Sequence, residues 1–299
     1  MAALGLMALG ALLFSLMNFL ARIATASASW ASVAAARATI GALVAFTIAR
    51  MRGQSLTPNN VRSIFWRSLF GTVSMVSTFY ALSSRTVSLG DTVTLLNLAP
   101  VFLAVLAPIF LRERTTAGVA FAIALALLGV MLVVRPTFLF GTTTSAHISL
   151  AHVGPSATTT TSVAVFAALS TSIAMMLLRR VGQTESAETI AFHFSLFAAL
   201  ALSFLSLFDL RVPTSRDAAC MVGAGLCAGF GQLAMTRAYA LEHAARVSGM
   251  SYLSVVASAL LGAAVLGERP GPTAVVGMGL VIAGGILVTF ARSSEKPMR

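Results

Sequence analysis

Acidic residues are scarce in this chain: nine Asp and Glu stand against 20 Lys and Arg in 299 residues. Charges of both signs make up only 10%, where a soluble domain carries about a quarter. The polar surface that a water-soluble fold of this size needs is therefore missing. Cysteine is nearly absent too. Cys220 and Cys227 fall seven residues apart in one apolar run, where one helix face can hold both but no disulfide can join them. A disulfide scaffold is excluded, and the pair reads as two small apolar residues. No glycine-rich phosphate loop ending in Gly-Lys-Ser or Gly-Lys-Thr occurs, so ATP-driven work would need a separate subunit. The basic excess, net +11, sits singly or in pairs at the ends of apolar runs. It forms no basic stripe with interleaved aromatics, and no nucleic-acid partner is expected.

What the chain has in abundance is hydrocarbon: 58% hydrophobic residues and a mean hydropathy of +0.91. A helix of roughly 20 apolar residues crosses a bilayer, since each residue rises about 1.5 Å against a core of about 30 Å. Ten such runs lie near 4–24, 30–49, 63–83, 90–111, 116–134, 158–178, 187–208, 217–240, 246–266 and 272–291. The expected fold is an all-α membrane protein of ten transmembrane helices. With the N-terminus inside, 12 basic residues fall on inner positions and six on outer ones, with Arg37 and Arg67 left within spans. Basic residues are retained on the cytoplasmic side, so both termini are expected there, in a multi-pass protein of the bacterial inner (plasma) membrane. Residues 1–21 and the following "ATASAS" have the look of a signal peptide. No basic residue precedes the run, however, and the segment has a counterpart later in the chain; it is expected to remain as the first helix.

The chain twice makes the same abrupt stop. "PIFLRERTT" ends one apolar run and "AVLGERPGP" ends another 155 positions later. An ungapped slide of 90–134 onto 245–289 places Glu113 on Glu268, Arg114 on Arg269 and Gly129 on Gly284. Leu98, Val101, Ala104, Leu111, Leu132 and Val133 also meet identical residues. Each half then holds five spans, an odd number, so the second half enters from the opposite side. Two inverted five-helix repeats are expected, with a binding site at their interface, as in secondary transporters. The divisions are 1–135 for the first repeat, 136–157 for a periplasmic loop, 158–291 for the second repeat and 292–299 for a cytoplasmic tail.

The stretch "FYALSSRTVSLGDTVTLLNLAPVFLAVLAPIFLRERTTAGVAFAIALALLGVMLVV" resembles the first half of the drug/metabolite transporter superfamily, in its EamA-type branch. "TRAYALEHAARVSGMSYLSVVASALLGAAVLGERPGPTAVVGMGLVIAGGILV" resembles the second half. The resemblance covers nearly the whole chain and is specific for the superfamily, not for a substrate. It implies a central cavity ringed by spans 1–4 and 6–9, with spans 5 and 10 peripheral. One departure stands out: Pro100 in the fourth span is matched by Val255 in the ninth, which puts a symmetric pair of proline hinges in question.

Arg37 is the sharpest candidate for substrate binding. It lies about 10 Å along the second span. An arginine at mid-span costs about 2.5–3.5 kcal/mol on insertion scales, and each apolar residue of the span offsets only a few tenths of a kcal/mol. It either snorkels to a helix-end carbonyl or faces a cavity as an anion-binding or gating group; the family resemblance implies arginine here. Ser15, Asn18 and Arg22 form a polar stripe on the first span, and Gln232, Thr236 and Tyr239 form another on the eighth. Each is either interhelical glue or cavity lining. Asn97 and Pro100 lie one turn apart, the proline freeing a carbonyl that hydrocarbon cannot satisfy. Tyr252 holds Asn97's place in the second half, and a pair related by the repeat near mid-membrane suits a substrate site. Tyr80 and His193 complete the set, His193 lying beside the counterpart of Arg37 and reading equally as a packing residue. Gly225 and Gly229 form a close-packing pair.

His147 and His152, without a cysteine or carboxylate nearby, make a weak metal signal, and neither metal nor cofactor is expected. All nine acidic residues fall at span ends or in loops, so no membrane-embedded carboxylate marks proton coupling; Asp91 comes nearest. Glu113 and Glu268 read as anchors of helix hairpins. The Gly-x-Ser of Gly249–Ser251, with His193 or His243 as base, raises an intramembrane serine hydrolase, but a duplication has no purpose in that chemistry. The expected activity is alternating-access transport of a small polar or amphipathic metabolite, an amino acid or related organic anion or zwitterion. A vitamin, S-adenosylmethionine, a nucleotide-like metabolite or an exported drug are the alternatives. The expected partners are that substrate and the lipid bilayer, with the chain as monomer or homodimer.

Overall fold

The computed structural model describes residues 2–25, 27–83, 87, 89–113, 115–135, 157–209, 211–266 and 271–290. Twelve α-helices and no strand occur among them. In chain order they are α1 (Ala2–Ala24), α2 (Trp30–Met51), α3 (Val61–Ser83), α4 (Leu89–Leu96), α5 (Ala99–Phe110) and α6 (Ala117–Val134). Then follow α7 (Ala157–Val181), α8 (Ala187–Ser206), α9 (Ser215–Leu241), α10 (Ala244–Met250), α11 (Leu253–Leu266) and α12 (Pro272–Phe290). Hydroxyl N-caps start four of them: Ser29, Thr116, Ser186 and Thr214 each accept the backbone N–H three residues on, satisfying a donor that the first turn leaves orphaned.

Nine segments among the described residues are long and apolar enough to cross a membrane. Two of them join a pair of helices, Thr92–Phe110 across α4 and α5 and Ala244–Val265 across α10 and α11. The expected third span corresponds to α3. That helix runs 23 residues but carries Arg62, Arg67 and a series of Ser and Thr, and it is not one of the nine.

Packing runs mostly between the halves. α1 packs along α9, α2 along α8, α3 along α7 and α6 along α12, while α4 and α5 lie against α7 and α11 lies against α1. Small residues allow the close approaches. A Cβ on Gly225 would come within 2.6 Å of Ile40, and one on Gly229 within 2.8 Å of Val44, so the expected glycine pair does seat α9 on α2. At the α6–α12 contact a Cβ on Gly129 would lie 2.6 Å from the Gly277 carbonyl, and one on Gly284 2.8 Å from that of Ala122. The 155-residue shift carries Gly129 to Gly284 and Ala122 to Gly277, so these are the same contact made twice.

The fourth and ninth runs are each interrupted, at Asn97–Leu98 and Ser251–Tyr252, points that agree to within one residue under the 155-residue shift. In the first half Pro100, in the opening turn of α5, removes one helical donor. The second half breaks without a proline. Three serines there turn their hydroxyls onto carbonyls three residues back: Ser248 to Ala245 (2.9 Å), Ser251 to Ser248 (2.6 Å) and Ser254 to Ser251 (2.8 Å). Hydroxyl donors of this kind compete with the helical ladder, and Ser254 and Val255 bond i−3 rather than i−4 carbonyls. The breaks are symmetric although the residues that make them are not.

Candidate functional site

Arg37 projects from α2 into a narrow cavity walled by Met75 of α3, Phe194, Ser195 and Ala198 of α8, and Ala228 and Gln232 of α9. The cavity thus takes walls from both halves. It is small, about 10 Å³, room for roughly one water. The guanidinium stands 5.9 Å from the Phe79 ring, a cation–π contact, and no carboxylate lies within ion-pair distance of it among the described residues. An uncompensated cation among apolar helices is costly; here it faces protein and a small, mostly apolar cavity with Ser195 and Gln232 on its wall.

Of the other expected site residues, Gln232 shares this cavity, buried, with its amide 3.4 Å from the Thr236 hydroxyl. Ser15 does not reach it. Its hydroxyl bonds the Ala11 carbonyl at 2.9 Å and the Ser254 carbonyl at 2.8 Å, which glues α1 to the second-half break. Tyr252 is fully buried and donates to the Asn97 carbonyl at 2.9 Å. The two helix breaks are therefore tied directly to each other, and the Asn97 amide turns back to Val93 at 2.8 Å. Pro100 is buried in the same region. His193 bonds the Thr189 carbonyl within its own helix at 2.9 Å. Tyr239 is buried toward the end of α9. Asn18 and Tyr80 occupy exposed positions on their helices. The side chains of Arg22 and Asp91, and His147, His152, Glu268, Arg269 and the segments 136–156 and 291–299, lie outside the described residues. Ser251 bonds Ser248, and His243 bonds Glu242 at 2.9 Å, so the imagined Ser–His pair has each member engaged elsewhere.

Sequence reasoning missed one feature of the site. Arg67 of α3 is 1% exposed, and none of its guanidinium nitrogens has a hydrogen-bond partner among the described residues. The Phe194 ring, which also walls the Arg37 cavity, covers its guanidinium at 4.5 Å. Its signal in the sequence is a second mid-span arginine with Gly71 one turn on.

The halves meet at one end through charge. Glu188, 2% exposed in the first turn of α8, accepts from Arg52 at 3.0 Å and from Arg237; a helix N-terminus favours a carboxylate there. Glu113 accepts from Arg179 at 2.7 Å and from the Ala244 N–H at 2.9 Å, a tie between the halves where the sequence pointed to an anchor of its own helix hairpin. Glu185 takes the Asn60 N–H at 2.7 Å.

The EamA-like transporter family pattern matches residues 1–135 and 159–290. The chain belongs to that family. The pseudopaline exporter CntI of Pseudomonas aeruginosa is 28% identical over 279 residues, spanning 93% of this chain and 90% of the exporter. The mouse solute carrier family 35 member G1 is 28% identical over 204 residues, 64% of this chain and 52% of the carrier. A solved crystal structure with 18% identity superposes at a TM-score of 0.79 over 95% of this chain and 96% of its own, which shows the shared fold. This EamA-family chain is accordingly a multi-pass membrane protein related to transporters, with its buried arginines in the interior of a transporter-type helix bundle.

Proposed function

We propose that this chain is a secondary transporter of a small polar or amphipathic metabolite, an amino acid or related organic anion or zwitterion, working in the bacterial inner membrane by alternating access. The observation that carries the reading is Arg37: a cation at mid-span, without a carboxylate partner among the described residues, facing a cavity whose walls come from both halves. Such a site at a repeat interface is where inverted-repeat transporters bind substrate. The ten-helix inverted arrangement is supported by the equivalent breaks at 97–98 and 251–252 and by the twice-made α6–α12 contact. The narrowness of the cavity fits an occluded conformation. A relative named as an exporter favours outward transport.

The test is transport of a pooled metabolite panel by proteoliposomes holding wild type, Arg37→Lys or Arg37→Gln. Anion binding through Arg37 predicts partial function with lysine, which keeps the charge and loses the planar fork, and a loss of about tenfold or more with glutamine. Equal transport by all three would sink the assignment. Orientation is tested by external labelling of single cysteines, which should reach Ser149→Cys and miss Ser186→Cys; the opposite pattern inverts the topology.

A further inference from the structure

The Arg67 niche is built by the sequence around it. A Cβ on Gly71 would lie 2.3 Å from Arg67 Nη1 and 2.7 Å from the Phe194 ring, so only a glycine one turn along α3 leaves space for the guanidinium. Phe194 closes the niche over the cation's face, and Tyr239 of α9 lies within electrostatic reach. The edge donors of the guanidinium find no hydrogen-bond partner among the described residues. Ser68 and Thr72 of α3 and Thr94 of α4 also hold buried hydroxyls without partners among the described residues. A guanidinium presents five donors in a planar fork that matches a carboxylate. Buried polar groups of native proteins are almost always satisfied, and an orphaned buried cation is the costliest exception.

Arg67 is also in register with the Arg37 cavity. Arg67, Gly71, Met75 and Phe79 recur every four residues, each step turning about 40° round α3, so successive members sit beside one another in a slanted row. Arg67's guanidinium sits at Gly71, while Arg37 meets this face at Met75 and Phe79. Four to eight residues of helix rise offset the two cations by about 6–12 Å along the α3 axis, with Phe194 common to both sites.

We infer that Arg67 and its Gly71 niche form a second anion subsite, adjoining the Arg37 cavity on the side of the Glu188 ion pairs, and that the substrate is a small organic molecule with two acidic groups. This rests on the transporter reading and names its substrate class. A single carboxylate would neutralise Arg37 and leave Arg67 orphaned; a short dianion bridges both. The Phe194 ring against Arg67 marks the side chain that must shift for the second group to enter.

The test measures affinity of the full chain in lipid nanodiscs, by thermal shift at constant ionic strength, for butyrate and for the dicarboxylates from malonate to adipate. Wild type should bind its preferred dicarboxylate about tenfold tighter than butyrate, the worth of one more charge-assisted pair. Arg67→Gln should shrink the advantage of that dicarboxylate over butyrate from about tenfold to less than about twofold. Arg37→Gln should weaken both, and Arg67→Lys should retain part of the preference. If no dicarboxylate exceeds butyrate in wild type, or if Arg67→Gln keeps the preference, the inference is overturned. The transporter reading is judged separately by the metabolite panel. Should Arg67→Gln not fold, wild type itself decides: a dicarboxylate must protect Arg67 from phenylglyoxal better than butyrate does, and equal protection overturns the proposal.

Discussion

Where the 52–60 and 182–186 connections meet, carboxylates tie the two halves together through arginines; at the opposite end, among the described residues, they bind only hydroxyls or a near neighbour. Glu188 holds Arg52 and Arg237, Glu113 holds Arg179 and the Ala244 N–H, and Arg179 reaches on to the Tyr239 and Ala240 carbonyls at 3.0 and 2.7 Å. At the other end, among the described residues, Asp209 pairs with exposed Arg211 two positions away, and Asp217 accepts from the Ser27 and Thr214 hydroxyls. The bonds at both ends are charge-assisted, but only at the first are both partners charged, and partly buried pairs escape most of the screening that weakens surface pairs. The halves are thus latched by arginine–carboxylate pairs at one end and, among the described residues, held by the Ser27 hydroxyl's bonds with Asp217 and Thr214 at the other. On the alternating-access reading, opening the latched end is the step that requires breaking ion pairs, and the substrate's interactions must offset that loss.

The largest test of this contrast is Glu188→Gln, which removes the charge that two arginines share. Because both arginines keep partial access to water, the expected loss is about 2–3 kcal/mol rather than that of a fully buried pair. It should be read as thermal stability in detergent. Labelling of a cysteine at Ser195, in a background with Cys220 and Cys227 replaced by serine, should rise as the latched end opens. Arg211→Gln at the other end should change stability by less than about 0.5 kcal/mol. Equal effects from the two variants would erase the distinction between the ends.

Glu113→Gln comes next. It weakens the Arg179 bond and the cap on α10, for an expected loss of about 1–2 kcal/mol, with apparent substrate affinity unchanged. A normal melting temperature combined with a large rise in KM would make Glu113 a ligand instead of a latch.

Much of this latch is legible in the amino-acid sequence. The repeated Glu-Arg stop marks Glu113 as an anchor because a charge cluster between long apolar runs can sit only at a helix end. Arg37 is legible for the converse reason, a charge placed where hydrocarbon should be. Arg67 is harder to read because, at about the same depth in its helix as Arg37, it lies among Arg62 and several Ser and Thr and so interrupts no clean apolar run. The break at Ser251–Tyr252 has no proline to announce it. It is made by Ser248, Ser251 and Ser254 bonding their own helix, and serines in a spanning helix more often bond a neighbour. Ser15 and Tyr252 stand out as polar residues in apolar runs, but only tertiary contacts reveal that their hydroxyls bond the carbonyls of Ser254 and Asn97.

Tyr252→Phe sharpens the contrast from the middle. The hydroxyl joins the two broken helices near the bundle centre, so its loss should cost about 1 kcal/mol without favouring either end. Labelling at Ser195→Cys should then rise far less than in Glu188→Gln. A larger increase would move the latch from the charged end to the paired breaks.

The smallest effect concerns acid. Glu242, between α9 and α10, pairs with His243 and Arg246 at the latched end. Burial raises its pKa, but hydrogen bonds from His243 and the charge of Arg246 outweigh that and hold it below the usual carboxylate range. A carboxylate whose pKa is depressed on folding contributes stability that is fully present above its unfolded pKa and is lost as pH falls through the folded value. The stability gap between wild type and Glu242→Gln should therefore be constant from about pH 8 to 6. It should close only below the ordinary Glu value of about 4.3. A gap that keeps its size down to about pH 3 would show that the tie does not depend on the charge of this carboxylate.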